Sequence, residues 1–258
     1  MVRGLKVLAL PVAAAVALLG TGAARAGSVA FQDNFTDQQP VGPWAVGPQY
    51  VGTDGKWTLV FDGYGHVGEE TDTAGPRASL ALEPAPPVNA LDAKPLDTIA
   101  PEGVLTSEHA ALVTSVGSFG DSTLSVSVRT VAQLRQTATQ NPWEVGWVLW
   151  HYTDPGHFYY LILKPNGWEL GKEDPSALYG QRFLATGDSP TFPVGGRWNA
   201  VNVVQKTTPT GAEEMIVSVN GQQLADYTDD SNPYMSGKVA LYDEDSYAHF
   251  AAVQVSGP

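Results

Sequence analysis

The sequence contains no cysteine, and this absence excludes several kinds of structure and chemistry. No disulfide can cross-link the chain, and no thiolate can serve as a metal ligand or as a nucleophile. Basic residues are also scarce, because 14 Lys and Arg stand against 27 Asp and Glu, for a formal net charge of −13. Binding to nucleic-acid phosphates needs a basic surface, so nucleic acid is not expected as a partner. The excess of carboxylates is compatible with solubility and with bound Ca²⁺.

Long apolar runs are absent apart from one at the N-terminus. Residues 1–26 combine Arg3 and Lys6, an apolar run over residues 7–19 and the small-residue sequence Ala24-Arg25-Ala26. This pattern predicts a secretory signal peptide, cleaved near Ala26, and therefore a secreted, extracellular protein. No later stretch approaches the roughly 18 apolar residues that a membrane helix needs, so no membrane insertion is expected. Without the leader the formal charge is −16, since 11 basic residues remain against 27 acidic ones.

Helical periodicity and internal repeats are lacking, and the chain consists of short alternating segments separated by turns. Residues 122–130 alternate cleanly, with Leu124, Val126 and Val128 on one face, and Asn220-Gly221 between two β-rich runs predicts a hairpin. This organisation predicts an all-β protein with one domain over residues 27–258, an antiparallel two-sheet jelly-roll sandwich. The segment from about 71 to 107 is predicted to be a long loop excursion with one strand near residues 79–82.

The stretch over residues 143–172 holds four of the seven tryptophans and organises the rest of the chain around it. Turn signals at residues 153–156 and 165–167 divide it into three consecutive strands. Alternation along its first strand predicts two faces. One face carries Glu144, Gly146, Val148, Trp150 and Tyr152, and the other carries Trp143, Val145, Trp147, Leu149 and His151. We expect the second set to face the core.

The order of motifs resembles a bacterial concanavalin A-like jelly roll of the laminin-G and family 16 glycoside hydrolase-like type, which includes the 3-keto-disaccharide hydrolase domains. The similar motifs span most of the chain after the leader. They are Phe31 to Phe35, Gly146-Trp147-Val148-Leu149, Phe158-Tyr159-Tyr160-Leu161, Gly196-Arg197-Trp198, Val217-Ser218-Val219-Asn220-Gly221, Asp229, Gly237-Lys238-Val239-Ala240-Leu241-Tyr242 and Phe250. Each motif encodes mainly strands and turns, so the resemblance implies a fold more specifically than an activity.

The resemblance implies that a glycan binds to a concave sheet and that a structural Ca²⁺ joins the first and last strands. Trp150 would then lie on the concave face and stack on a sugar, whereas the alternative is that both faces are buried and Trp150 only packs. Asp33 and Asn34 stand where the first calcium ligands are expected. The last strand departs from the pattern, because the usual Phe-Asp is Phe250-Ala251. The catalytic Glu-x-Asp-x-x-Glu motif of family 16 enzymes is absent as well.

Several polar residues are candidates for binding sugar hydroxyls. Tyr160 and Lys164 share a face of the second aromatic strand, and Glu169 and Lys172 follow the next turn. The alternative is an ordinary solvated sheet face with weak surface ion pairs. Further candidates of the same kind are Arg129, Gln133, Arg135, Arg182 and His109, which lies at the start of a predicted strand.

Catalysis by glycosidic bond hydrolysis would need two carboxylates placed across the sugar. Glu144 and Glu169 could meet on adjacent strands, and Glu69, Glu70 or Glu108 could approach from the long loop. The histidines show no recognised metal-ligand spacing, and the chain has no G-x-S-x-G, P-loop or dinucleotide motif.

Three hypotheses follow from these residues. The first is a secreted, monomeric protein that binds an oligo- or polysaccharide on an aromatic sheet. The second is a glycoside hydrolase or polysaccharide lyase of the same fold. The third is a non-catalytic structural or adhesion domain with bound Ca²⁺.

Overall fold

A computed structural model describes residues 28–37, 49–51, 54–63, 65–72, 77–84, 110–135 and 139–257. Within these ranges the regular structure consists of sixteen β-strands and one 3-10 turn at Leu178–Gly180. The described part of the chain contains no helix that is long and apolar enough to cross a membrane. The predicted signal peptide and His109 lie outside the described residues.

The strands run in chain order from the N-terminal to the C-terminal end of the described residues. They are β1 (Val29–Asp33), β2 (Gln49–Val51), β3 (Trp57–Phe61), β4 (His66–Asp72), β5 (Arg77–Glu83), β6 (Ala110–Phe119), β7 (Ser122–Gln133), β8 (Gly146–Asp154), β9 (His157–Lys164), β10 (Gly167–Glu173), β11 (Gln181–Gly187), β12 (Asn199–Thr207), β13 (Glu213–Val219), β14 (Gln222–Asp229), β15 (Gly237–Glu244) and β16 (Ser246–Ser256).

Two antiparallel sheets of eight strands each contain all sixteen strands. Sheet A has the order β14-β13-β12-β7-β16-β5-β4, and β1 pairs with β16 beside it. Sheet B has the order β11-β10-β9-β8-β15-β6-β3-β2. The chain crosses between the sheets several times: β8 to β11 lie in sheet B, β12 to β14 in sheet A, β15 in sheet B and β16 in sheet A. The predicted all-β, two-sheet jelly-roll sandwich is confirmed.

The short turns predicted from the sequence join neighbouring strands. Asn220 and Gly221 have φ values of +53° and +81° and form the two-residue turn between β13 and β14. Both positions are left-handed, which is the conformation that Asn-Gly favours in tight hairpins. The breaks at residues 155–156 and 165–166 likewise join β8, β9 and β10 into consecutive antiparallel strands. The predicted strand near residues 79–82 lies within β5, and most of the remaining excursion is outside the described residues.

The main hydrophobic core fills the space between the two sheets. Val148 and Trp150 of β8 contribute to it from sheet B, and Val128, Val203 and Phe250 contribute from sheet A. Trp150 is fully buried and its ring stacks on Tyr159 at 6.1 Å. Burying a side chain of this size stabilises the fold by about 2 to 3 kcal/mol. The buried rings of the aromatic strands therefore contribute substantially to the stability of the fold.

The predicted assignment of faces on β8 was therefore wrong. Trp150 points into the inter-sheet core, whereas Trp147 and Leu149 belong to a second apolar cluster on the other face of sheet B. Trp143, also expected in the core, is 48% exposed. Alternation shows which residues share a face but not which face meets the other sheet, and here both faces are apolar.

An irregularity at the end of β8 breaks the alternation. His151 has a φ of +51°, and the pairing with β9 shifts between Trp150 and Asp154. Tyr152 consequently joins the same cluster as Trp147 instead of following Trp150 into the core. A bulge of this kind adds a residue to one strand and redirects the side chains after it.

Candidate functional site

The outer face of sheet B, which is turned away from sheet A, carries a row of aromatic rings called here the aromatic face. Trp147 is central, with ring centroids 5.3 Å from Tyr242 and 5.1 Å from Tyr160. The row continues through further ring contacts of 5.7 to 6.3 Å. These join Phe61 to Tyr242, Tyr160 to Phe158, and Phe158 to Tyr152. Because its members lie on β3, β15, β8 and β9, the row crosses the middle of the sheet.

Polar side chains collect at the end of this row, on β9 and β10. Glu169 Oε1 accepts a hydrogen bond from the Tyr160 hydroxyl at 3.1 Å, and Oε2 accepts one from Lys164 Nζ at 2.8 Å. Burial raises the pKa of Tyr160 above its usual range, so its hydroxyl remains a donor at neutral pH. The structure thus brings together three residues predicted for binding. Tyr160 and Glu169 are buried, and the Lys164 side chain is 16% exposed.

A glycine on β10 creates the space that the tyrosine occupies. A Cβ at Gly171 would lie 2.0 Å from the Cζ and hydroxyl oxygen of Tyr160, so the ring lies directly against the backbone there. Gly171 pairs with Phe183 of β11, and paired residues project from the same face of a sheet. Phe183 is 63% exposed, which leaves a flat ring open to solvent beside Tyr160.

Glu173 lies on the same face of β10, two residues beyond Gly171. Burial raises the pKa of Glu173 to about 7, so this carboxyl titrates near neutral pH. Its cross-strand partners are Phe158 and Gln181. The five residues Tyr160, Lys164, Glu169, Glu173 and Phe183 are called here the β9–β11 platform.

Glu144 does not share this platform with Glu169. Its side chain is fully buried and accepts hydrogen bonds from Arg135 Nε at 2.6 Å, from Asn141 Nδ2 at 2.7 Å and from the Asn141 backbone at 3.0 Å. Glu144 precedes β8, and β8 and β10 are two strands apart, which is about 10 Å across the sheet. The structure therefore does not place Glu144 and Glu169 as a facing pair.

Lys172 points into the sandwich and not toward a ligand face. It is fully buried, and Nζ donates to Asp229 Oδ2 at 2.8 Å and to the carbonyl oxygens of Ser231 and Asn232 at 2.9 and 2.6 Å. These three acceptors use all three donors of the ammonium group. The expectation that Lys172 contacts a sugar is corrected accordingly.

Arg129 lies on the outer face of sheet A, on the side of the molecule opposite the platform. Its NH1 group donates to both carboxylate oxygens of Asp72 at 3.2 and 2.9 Å, and its Nε donates to the Gly196 carbonyl. Arg182, a weaker candidate, pairs with Asp174 at 2.7 Å. These bonds join both arginines to residues outside the platform.

Asp33 and Asn34, the residues expected to bind Ca²⁺, lie at the end of β1. Asp33 is buried, with Oδ1 accepting from the Phe35 backbone at 2.8 Å and Oδ2 accepting from Trp57 Nε1 at 2.8 Å. Asn34 is exposed. Both oxygens of the buried carboxylate are thus engaged by protein donors, and Ala251 offers no carboxylate from the last strand. Calcium binding stays a prediction.

Two platform residues were missed by reasoning from the sequence. Glu173 could have been found, since it shares the parity of Glu169 along β10. Phe183 could not, because its position beside Tyr160 depends on the register between β10 and β11, which includes a shift between Leu170 and Gly171.

Comparisons with known proteins concern the fold. No protein-family model matches the chain, and no curated protein matches its sequence. The carbohydrate binding module CBM66 from Bacillus subtilis is 12% identical with a TM-score of 0.50, covering 78% of this chain and 96% of that chain. A protein of unknown function with a galectin-like fold from Bacillus subtilis is 11% identical with a TM-score of 0.51, covering 90% and 97%.

LamA from Z. galactanivorans, solved in complex with laminaritriose and laminaritetraose, is also similar. It is 11% identical with a TM-score of 0.51, and the match covers 90% of this chain and all of that chain. At such identities the likeness concerns fold and not activity. Together with the two antiparallel sheets, it shows that this chain has the concanavalin A-like jelly-roll fold.

Proposed function

We propose that this protein is exported and binds a carbohydrate at the β9–β11 platform on the outer face of sheet B. The observation that carries the proposal is the exposed ring of Phe183 beside the Tyr160–Glu169–Lys164 group. A flat aromatic ring can stack on the apolar face of a sugar, while neighbouring charged groups bond its hydroxyls. Trp150 has no part in this proposal, because it is buried in the core.

The surroundings of Phe183 support a binding surface. Tyr179, in the turn that leads into β11, is 93% exposed, and Leu178 is 78% exposed. Large exposed apolar side chains that occur together often mark an interaction site. The similarity to a carbohydrate binding module and to LamA, which was solved with laminaritriose and laminaritetraose, also supports a carbohydrate ligand. The acidic composition of the chain favours a neutral or cationic sugar.

A second candidate function is hydrolysis or elimination at the same platform, and Glu173 favours it. A carboxyl with a pKa of about 7 is suited to act as a general acid, with Glu169 as the second carboxylate. However, the two residues are four positions apart on one strand, so their Cα atoms are about 13 Å apart. Both oxygens of Glu169 also accept hydrogen bonds, from Tyr160 and Lys164, which ranks catalysis behind binding.

A glycan array followed by product analysis tests both functions. The array should include laminaritriose and laminaritetraose, because a similar jelly roll has been solved with them. Binding of a glycan that is recovered unchanged supports the binding function. Cleavage that is lost in Glu173→Gln supports the enzyme instead, and absence of binding to every glycan contradicts both.

A further inference from the structure

A separate group of ionisable side chains lies on the outer face of sheet A. Glu70 of β4, Glu83 of β5 and His249 of β16 converge from three adjacent strands. One candidate ligand atom from each residue lies within 4.8 Å of the other two. Arg129 and Asp72, described above, border this group.

The orientation of the His249 ring is fixed by its neighbours. Its Nδ1 lies 3.0 Å from Asp72 Oδ2, and the bond from Arg129 holds that carboxylate in place. A carboxylate oxygen accepts hydrogen bonds, so we assign Nδ1 as the donor, which makes Nε2 the nitrogen that can offer a lone pair to a metal ion. A histidine whose far nitrogen donates to a carboxylate is the arrangement found behind many metal-ligating histidines.

The Nε2 atom of His249 is buried and has no hydrogen-bond partner among the residues that the structure describes. It points at two anionic groups, with Glu70 Oε1 at 3.2 Å and Glu83 Oε1 at 3.6 Å. Three atoms that present lone pairs at these distances repel one another unless a positive charge lies among them. Arg129 pairs with Asp72, so Glu70 and Glu83 are the two carboxylates that face His249 Nε2, and a divalent cation would be attracted to both.

The spacing of the ligand atoms suits a small transition metal. Zn²⁺ binds histidine nitrogen and carboxylate oxygen at about 2.0 to 2.2 Å, so two ligands at a tetrahedral angle are about 3.3 to 3.6 Å apart. The measured separations of 3.2 and 3.6 Å lie at or close to this range. Ca²⁺ and Mg²⁺ prefer oxygen ligands, whereas a histidine nitrogen favours the transition metals.

The sheet leaves room for the ion and a path to it. Gly68 and Ala81 pair with each other between the two glutamates, and His249 pairs with Ala81. Two small residues in this row let the glutamate side chains reach over the sheet toward His249. The side chains of Glu70 and Glu83 are 38% and 31% exposed, so solvent can enter and water can occupy the remaining coordination position.

From this geometry we propose that Glu70, Glu83 and His249 bind one divalent transition-metal ion, with Zn²⁺ as the probe. Asp72 is a positioning residue that orients His249. The competing occupant is a proton, which would make His249 an imidazolium in an ion-pair cluster without any metal.

Isothermal titration of Zn²⁺ into the untagged, chelator-treated protein at pH 7.5 tests the proposal. We expect one equivalent to bind, with affinity at least 100-fold lower in His249→Gln and in Glu83→Gln. Asp72→Asn should weaken binding by about 10- to 100-fold, as the loss of an outer-shell partner does. The control is His157→Gln, which removes a half-exposed histidine paired with Asp154 and should change the affinity less than twofold.

Circular dichroism and thermal melting would establish that each variant is folded. If one of the two ligand variants does not fold, the other still tests the proposal. The proposal is overturned if the folded wild-type protein binds no Zn²⁺, Mn²⁺ or Co²⁺. It is equally overturned if His249→Gln and Glu83→Gln both keep the wild-type affinity.

Discussion

At the scale of single residues, buried charges differ in what surrounds them. Lys172 has three acceptors for its ammonium group, whereas both carboxylate oxygens of the buried Glu213 have no hydrogen-bond partner within the described part of the chain. Burial raises the pKa of Glu213 to about 8, with a further contribution from the nearby Asp121 and Asp229. We therefore expect opposite effects on stability when each residue is replaced: a loss for Lys172, whose charge is fully bonded, and a gain for Glu213, whose carboxylate is not.

Replacing Lys172 by Met should destabilise the protein. The buried Asp229 would keep its bonds from Tyr159 and Ser231 but lose its cation, which typically costs about 3 to 5 kcal/mol. Urea denaturation at pH 7 measures the change. Lys206→Met, at an exposed position on β12, is the control and should change stability by less than about 0.5 kcal/mol. A loss below about 1 kcal/mol for Lys172→Met would contradict this account of its contacts.

Replacing Glu213 by Gln should make stability less dependent on pH. The folded pKa of about 8 exceeds the unfolded value of 4.5, so the contribution of this group is full below pH 4.5 and is lost as pH rises through 8. The amide cannot ionise, so the free energy of unfolding of the variant should rise relative to the wild type across this window, by up to about 5 kcal/mol at pH 9.

Denaturant titrations at pH 5, 7 and 9 would measure that gain. Glu214→Gln, the adjacent outward-facing residue on β13, is the matched control. A difference between Glu213→Gln and wild type that stays constant from pH 5 to pH 9 would show that Glu213 is not a buried acid of raised pKa.

At the scale of elements, the platform depends on the contact between β9 and β10 at Gly171. Alanine there would put a methyl group 2.0 Å from Tyr160, so the ring must move and its bond to Glu169 is lost. We expect Gly171→Ala to weaken glycan binding at least fivefold and to cost about 1 to 3 kcal/mol of stability. Titration with the best glycan and urea denaturation measure the two effects.

Gly120→Ala provides the control for that substitution. A Cβ at Gly120 would lie 3.5 Å from the Met235 carbonyl oxygen, which is an ordinary contact. If Gly171→Ala bound the glycan as well as Gly120→Ala, the position of Tyr160 would have no role in binding.

The sequence was sufficient for the strands and hairpins because their signals are local. Asn220-Gly221 and the alternation from Leu124 to Val128 depend only on neighbouring residues. The assignment of Trp147 and Trp150 failed because both faces of sheet B are apolar, so polarity could not identify the inner one. Contacts between residues that are distant in the sequence could not be predicted either. His249 and Asp72, for example, are 177 positions apart.

At the scale of the whole molecule, the two proposed sites lie on opposite sides of the sandwich. The platform is on the outer face of sheet B, and the metal group is on the outer face of sheet A. The sheets are themselves about 10 Å apart, with a packed apolar core between them.

This separation predicts that the sites act independently. Saturating Zn²⁺ should change the glycan dissociation constant less than twofold, because neither ligand contacts the residues of the other. Glycan titrations with and without Zn²⁺ test this, with Mg²⁺ as the control for ionic strength. A change above fivefold would mean that the sites are coupled through the core or that the glycan lies on sheet A.

The location of the glycan is the central claim, and its most direct test compares Phe183→Ala with Trp198→Ala. Phe183 is the exposed ring of the platform, whereas Trp198 lies on the opposite side of the sandwich, 6.5 Å from the His249 ring. Calorimetric titration with the tightest glycan from the array should show binding about tenfold weaker in Phe183→Ala, equivalent to about 1.4 kcal/mol. Trp198→Ala should bind like the wild type. Unchanged affinity in Phe183→Ala, or a loss confined to Trp198→Ala, would contradict the assignment of the glycan to sheet B.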